Sequence, residues 1–202
     1  MGRAAILHLK KADRKLAKII ERVGPYRLVP RTEGSHFDAV ARAIVYQQLS
    51  GKAAATIYGR LCERYGGRPP CPEELLATPM ERLREAGLSG QKSKYLIDLS
   101  NHTARNTLAT ERLHELPDEQ VIEALTQVQG IGRWTAEMFL IFRLARPDVL
   151  PTTDLGIQKA IQRAYGLRRL PTPERVARIG APWRPHATVA SWYLWRSLDE
   201  PA

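Results

Sequence analysis

The sequence predicts an all-α protein, on three observations. Apolar residues recur at helical spacing in nearly every segment, and no stretch alternates apolar and polar residues as a half-buried strand would. Glycine, proline and serine fall at short intervals where those periodic runs begin or end. Together they divide the chain into about ten short helices, with no internal repeat and no flexible linker.

The elements follow in order. In LKKADRKLAKIIERVG the residues Leu9, Leu16, Ile19, Ile20 and Val23 share a stripe, and Gly24-Pro25 ends the run. In SHFDAVARAIVYQQLSGKAAATIYGRLCERYGG, Phe37, Val40, Ala41, Ile44 and Val45 form one face, and Ser35 with Asp38 reads as a capping box. Gly51 breaks this stretch into two helices, the second closing at Gly66-Gly67. CPEELLATPMERLREAG reads as two short helices opened by prolines. SGQKSKYLIDLSNHTARN is another, with Tyr95, Leu96 and Leu99 facing inward. LHELPDEQVIEALTQV, the helix after Gly132, TDLGIQKAIQRAYGL, TPERVARIG and PHATVASWYLWRSL complete the set.

Bulk properties narrow the function classes. The 202 residues suffice for one domain or two small lobes sharing a core. No apolar run approaches the ~18–20 residues of a membrane span, and the N-terminus carries no secretory pattern. Two cysteines, Cys62 and Cys71, make neither a disulfide framework nor a metal-ligand spacing, so they read as reduced thiols of a cytoplasmic protein. The five histidines are scattered, which leaves no catalytic divalent site in view. The net charge of +10 favours a polyanionic partner, because lysine and arginine contacts to phosphates release condensed counterions.

The most informative stretch is VQGIGRWTAEMFL, Val128 to Leu140, followed by PDVLPTTDLGI, Pro147 to Ile157. One helix ends near Val128 and the next starts near Arg133, so Gln129 to Gly132 must turn the chain sharply. Glycine tolerates positive φ and lets a partner approach the backbone. The amides of Gly130 and Gly132, with the first turn of the next helix, form a small anion-binding nest, while Ile131 packs back between the helices. This is a helix-hairpin-helix pattern, suited to gripping a DNA phosphate without reading sequence. Downstream, Asp154 opens a helix, where N-capping and catalysis are both open to it; a capping position would also hold the carboxylate still.

From Leu125 to Ile157 the chain resembles the helix-hairpin-helix DNA glycosylases, and within them the 3-methyladenine DNA glycosylase II family. The likeness extends through IVYQQLSGKAA, GLSGQKSKYLIDLS and PWRPHATVASWYLW. It implies two helical lobes with a substrate cleft between them. One lobe would run over residues 30–115, helped by 1–29 and 170–202; the other, 116–170, would carry the hairpin and the catalytic residue. It further implies hydrolysis of the N-glycosidic bond of alkylated purines of the 3-methyladenine and 7-methylguanine type in duplex DNA, by a monomeric enzyme, nucleoid-associated if bacterial.

The resemblance also assigns residues. Asp154 would stabilise the oxocarbenium-like transition state and orient or deprotonate water. Trp134 and Trp192 would stack on the flipped base, since an electron-rich ring attracts a cationic purine. Met138 stands where some relatives have a pocket tyrosine, and Tyr46 either lines the pocket or caps a helix end. Trp183 and Trp195 read as core packing. The wedge that fills the hole left by the base falls on Gln48, with Leu49 as the neighbouring candidate. Gly130, Gly132, Thr135, Lys92 and Lys94 would meet the DNA backbone, although a solvated helix start also explains the two lysines. No cofactor is implied beyond a monovalent cation held by the carbonyls of Thr126, Val128 and Ile131. In the lyase branch a Schiff-base lysine follows G-x-G-x; here Trp134 occupies that position, so no strand nicking is expected. Two other readings stay open. One is a non-catalytic DNA-binding protein, for which Asp154 would be superfluous. The other is a glycosylase for oxidised guanine or mismatched adenine, which would call for the lyase lysine or a four-cysteine cluster.

Overall fold

A computed structural model describes residues 2–199. Among them are twelve α-helices, two short 3-10 turns and no strand. The helices are α1 Gly2–Ala12, α2 Arg14–Val23, α3 His36–Tyr46, α4 Gly51–Glu63, α5 Pro72–Ala77 and α6 Met80–Glu85, followed by α7 Gly90–Ala104, α8 Asp118–Thr126, α9 Arg133–Phe142, α10 Leu155–Tyr165, α11 Pro173–Gly180 and α12 Ala187–Arg196. The 3-10 turns are Thr110–Glu115 and Ala181–Trp183. No described helix is long and apolar enough to cross a membrane.

The chain divides into two compact units, Met1–Pro30 with Leu140–Ala202, and Arg31–Phe139. This differs from the grouping expected above. The hairpin belongs with residues 31–115, and the two terminal segments belong with Asp154. The physical reason lies in the apolar contacts. Leu9, Leu16 and Ile19 of the N-terminal helices share one buried cluster with Ile157 and Ile161 of α10 and with Trp183 and Tyr193. The division falls inside α9, between Phe139 and Leu140.

In the first unit the N-terminal stretch forms two helices, where the periodicity predicted one. Asp13 makes the break. Its extended backbone ends α1, and its carboxylate accepts the amides of Lys15 at 2.8 Å and Leu16 at 3.1 Å as the N-cap of α2. The same side chain accepts the Tyr165 hydroxyl and, at 3.0 Å, the Trp183 indole N–H. Burial raises the Asp13 pKa, but these hydrogen bonds outweigh it and hold the carboxyl below the usual range.

In the second unit α7 packs against α3, α5 and α6. Ile44, Leu61, Leu75, Leu83, Leu96 and Leu99 are fully buried there. Ser35 caps α3 by accepting the Asp38 amide at 3.0 Å, and one oxygen of the Asp38 carboxylate accepts the Tyr58 hydroxyl. Ser50, next to Gly51, caps α4 through the Ala53 amide at 3.3 Å.

Candidate active site

Asp154 is delivered by a loop whose every turn is anchored. Thr188, in the first turn of α12, donates its hydroxyl to Arg146 O at 2.6 Å and accepts the Val149 amide at 3.0 Å. Ser191 donates to Val149 O at 3.3 Å, and Asp148 accepts the Ala187 amide at 3.1 Å. Within the loop the Asp154 amide donates to Pro151 O at 3.1 Å. The segment before Asp154 is therefore sewn onto α12, the helix that carries Trp192 and Trp195.

Asp154 itself is the N-cap of α10 and 8% exposed. Its Oδ1 accepts the Ile157 amide at 2.7 Å and the Trp195 indole N–H at 2.9 Å. A Cβ on Gly156 would lie 3.0 Å from that oxygen and 3.1 Å from the Trp195 ring, so glycine is the residue that leaves this hydrogen bond room. Capping and positioning are thus combined in one carboxylate oxygen.

Trp195 packs against the buried cluster, as core packing requires, and does more: its ring N–H donates to Asp154, Phe142 stacks on it at 5.8 Å and 23°, and it lines an open cavity. That cavity, about 630 Å³, is bounded by Val23, Leu28, Phe142, Trp192 and Trp195, with Arg27 and Arg196 at its margin. Trp192 reaches it while packing edge-on against Tyr26 and Tyr193, both at 4.9 Å between ring centres. Arg196 is paired with Asp199 at 2.9 Å. Trp183 is fully buried, as expected of a core tryptophan. Four tryptophans look alike in a sequence. The clue available was spacing, since Trp192 and Trp195 stand one helical turn apart and share a face.

The remaining predicted residues lie in the other unit. In the hairpin Val128 and Ile131 are buried, and the Ile131 amide donates to Val128 O at 3.1 Å. Gly130 has φ +79°, and a Cβ there would stand 2.2 Å from the Tyr95 ring, so both conformation and contact demand glycine. Gly132 is different: it is exposed, and nothing lies within 4 Å of where a Cβ would project. Arg133 clamps the turn by a forked pair with Glu119 at 3.0 and 2.6 Å and by Glu137 at 3.1 Å. Trp134 is 44% exposed, Met138 is half-buried and Thr135 is buried.

Tyr46 is occupied within its own unit: its hydroxyl accepts from Arg42 at 2.5 Å, and the Arg42 guanidinium lies over its ring. Gln48 and Leu49 are exposed at the tip of the loop after α3, and Gln48 adopts a left-handed φ of 56°. Lys94 is exposed, whereas the Lys92 ammonium donates to Val45 O and Gln47 O, both at 2.7 Å. Among the described residues no group of three or more His, Cys, Asp or Glu side chains is placed to hold a metal ion.

Comparison with known proteins places this geometry. Residues 41–185 match the HhH-GPD superfamily of base excision DNA repair proteins. DNA-3-methyladenine glycosylase 1 of Schizosaccharomyces pombe is 36% identical over 96% of this chain and 86% of its own length. The alkylbase DNA glycosidase-like protein mag2 of the same yeast is 30% identical over 94% and 90%. Among solved structures, the S. pombe 3-methyladenine DNA glycosylase in complex with abasic DNA superposes with a TM-score of 0.86 at 36% identity, over 96% of this chain and 95% of that one. A DNA-3-methyladenine glycosidase of Bacillus halodurans superposes with a TM-score of 0.84 at 37% identity, over 96% and 88%. An all-helical fold, a glycine hairpin and an anchored aspartate thus coincide with a match over most of the chain, and the protein belongs to the HhH-GPD superfamily of base excision DNA repair proteins.

Proposed function

We propose that this chain is a monofunctional DNA glycosylase that hydrolyses the N-glycosidic bond of alkylated purines in duplex DNA and leaves the abasic strand uncut. The observation that carries the reading is Asp154, a buried carboxylate fixed by Ile157 and by Trp195, one of the tryptophans lining the aromatic cavity. The carboxylate stabilises positive charge developing on the sugar as the base departs, and its fixed position means little reorganisation is needed when that charge appears. The base leaves with the electron pair of the glycosidic bond, which neutralises a cationic purine; water then adds at the anomeric carbon and gives up its proton to Asp154.

Alkylation at N3 or N7 puts a formal positive charge on the purine. Stacking on Trp192 or Trp195 attracts such a ring by up to ~2 kcal/mol when desolvated. A cavity of about 630 Å³ has room for a purine, and the pairing of Arg196 with Asp199 reduces repulsion at its margin. Trp134 at the position of the lyase lysine supplies no amine for a Schiff base, which supports hydrolysis without strand cleavage. Gln48 or Leu49 fills the space the base vacates, and the hairpin meets the backbone through Gly130 and Gly132. The carbonyls of Thr126, Val128 and Ile131, at the negative end of α8, suit a monovalent cation that would bridge the turn to a phosphate.

The test is base release from methylated duplex DNA by the protein and by Asp154→Asn, with binding followed at fixed salt. The protein frees 3-methyladenine or 7-methylguanine and leaves alkali-labile, unnicked strands, while the variant binds DNA and releases at least about a hundredfold less. DNA binding without base release by either protein would replace this reading with a recognition module. Strand cleavage without alkali would overturn the monofunctional claim alone.

A further inference from the structure

We propose that Lys92 is a positioning residue, and that one face of α7 locks the loop between α3 and α4 to the hairpin turn so that the two form a single preset edge for engaging DNA. This rests on the reading just given, in which that loop carries the wedge.

Lys92, Tyr95 and Asp98 stand at three-residue intervals on α7 and therefore share a face. Each holds a different piece of backbone. Lys92 donates to Val45 O and Gln47 O at 2.7 Å each, taking up two carbonyls at the end of α3 that the helix itself leaves without a partner. A cation there is also favoured by the negative end of the helix dipole. Tyr95 lies against Gly130, so closely that no side chain fits at that position. Asp98 accepts the Gln129 amide at 2.8 Å, immediately before that glycine. The circuit closes outside α7, where the Gln47 side-chain amide donates to Gly130 O at 2.9 Å.

Gln48 follows directly. A non-glycine residue at φ 56° costs on the order of 1 kcal/mol and persists only where its surroundings dictate it. Here the carbonyl on its N-terminal side is held by Lys92, and the neighbouring side chain by the hairpin. Gln48 and Leu49 are both exposed at this turn. A lysine kept for a phosphate would leave its ammonium in water. That of Lys92 is half-buried against carbonyls, and desolvation lowers its pKa. Exposed Lys94, two residues on, is the better phosphate contact.

The experiment uses the full chain with Lys92→Met, Lys92→Arg and Gln47→Leu, on a duplex carrying 2-aminopurine beside a methylated purine. Three quantities are read: base release in a single turnover, 2-aminopurine unstacking, and the slope of log Kd against log salt. For Lys92→Met the expected result is a loss of base release of about tenfold or more, with unstacking falling alongside it. The salt slope stays that of the parent. Lys92→Arg, which can span both carbonyls, recovers most of the loss. Gln47→Leu, at a part-exposed site where folding is not in question, moves release and unstacking in the same direction. A slope shallower by about one with unstacking intact would make Lys92 a phosphate contact and overturn the proposal. So would parent-like release and unstacking in Gln47→Leu, whether or not Lys92→Met folds. If the parent itself releases no base, the glycosylase reading fails, while unstacking and slope still decide the role of Lys92.

Discussion

The amide of Ile157 and the indole of Trp195 converge on the same oxygen of Asp154. The amide is supplied by the start of α10 and would be present at any capped helix; the indole N–H is not required for capping and fixes the carboxylate laterally. Trp195→Phe separates the two. It keeps an aromatic face in the cavity and removes the N–H, a bond to a charged group worth ~1.5–3 kcal/mol. Base release falls by about tenfold to a hundredfold, while duplex affinity and melting temperature stay close to the parent. A parent-like rate would show that Asp154 needs no lateral support. This role escaped the sequence because α12 carries two tryptophans one turn apart, and only the loop anchored by Thr188 and Ser191 decides which of them meets Asp154.

At the scale of elements, the hairpin was legible because its signal is local. Two glycines, a buried Ile131 and a helix on either side fall within a few residues. Their reasons for being glycine nevertheless differ, and substitution tells them apart. Gly130→Ala forces a left-handed alanine, ~1–3 kcal/mol, and displaces the Tyr95 ring, so the melting temperature drops by roughly 4 °C or more. Gly132→Ala meets no atom of the protein and leaves the melting temperature near the parent, but places a methyl group where the proposed phosphate sits, so duplex binding weakens about tenfold. Equal melting temperatures for the two would refute this division.

The break between α1 and α2 was not legible, since KKADRKLAK sustains the apolar period across Asp13 and the partners Tyr165 and Trp183 lie 152 and 170 residues away. Because the folded state lowers the Asp13 pKa, its contribution is complete above the unfolded value near 3.8 and disappears as pH falls through the lower folded value. Asp13→Asn therefore melts several degrees below the parent at pH 7 and converges with it as pH falls from the unfolded value through the lower folded one. A gap that stays constant as pH is lowered from 7 through the acid range would place the effect outside ionisation.

For the whole molecule, charge and chemistry respond differently to the solvent. The excess of ten positive charges is borne by side chains such as Arg27 and Lys94 that stand in water, where salt screens them within about 8 Å at physiological strength. Asp154 and the Ile157 amide it accepts are buried, with Trp195 half-buried beside them, and ions reach such a carboxylate poorly. Affinity and turnover should therefore come apart. With about five phosphates neutralised, raising salt from roughly 50 to 200 mM weakens duplex binding on the order of 500-fold. Base release in a single turnover, with protein kept above Kd at each salt, changes by less than about twofold across the same range. Binding titrations and saturating single-turnover rates on one methylated duplex decide this. A rate that falls in step with affinity would mean that exposed cations, rather than the buried carboxylate, stabilise the reacting sugar, and would move the centre of the chemistry from Asp154 to the surface of the protein.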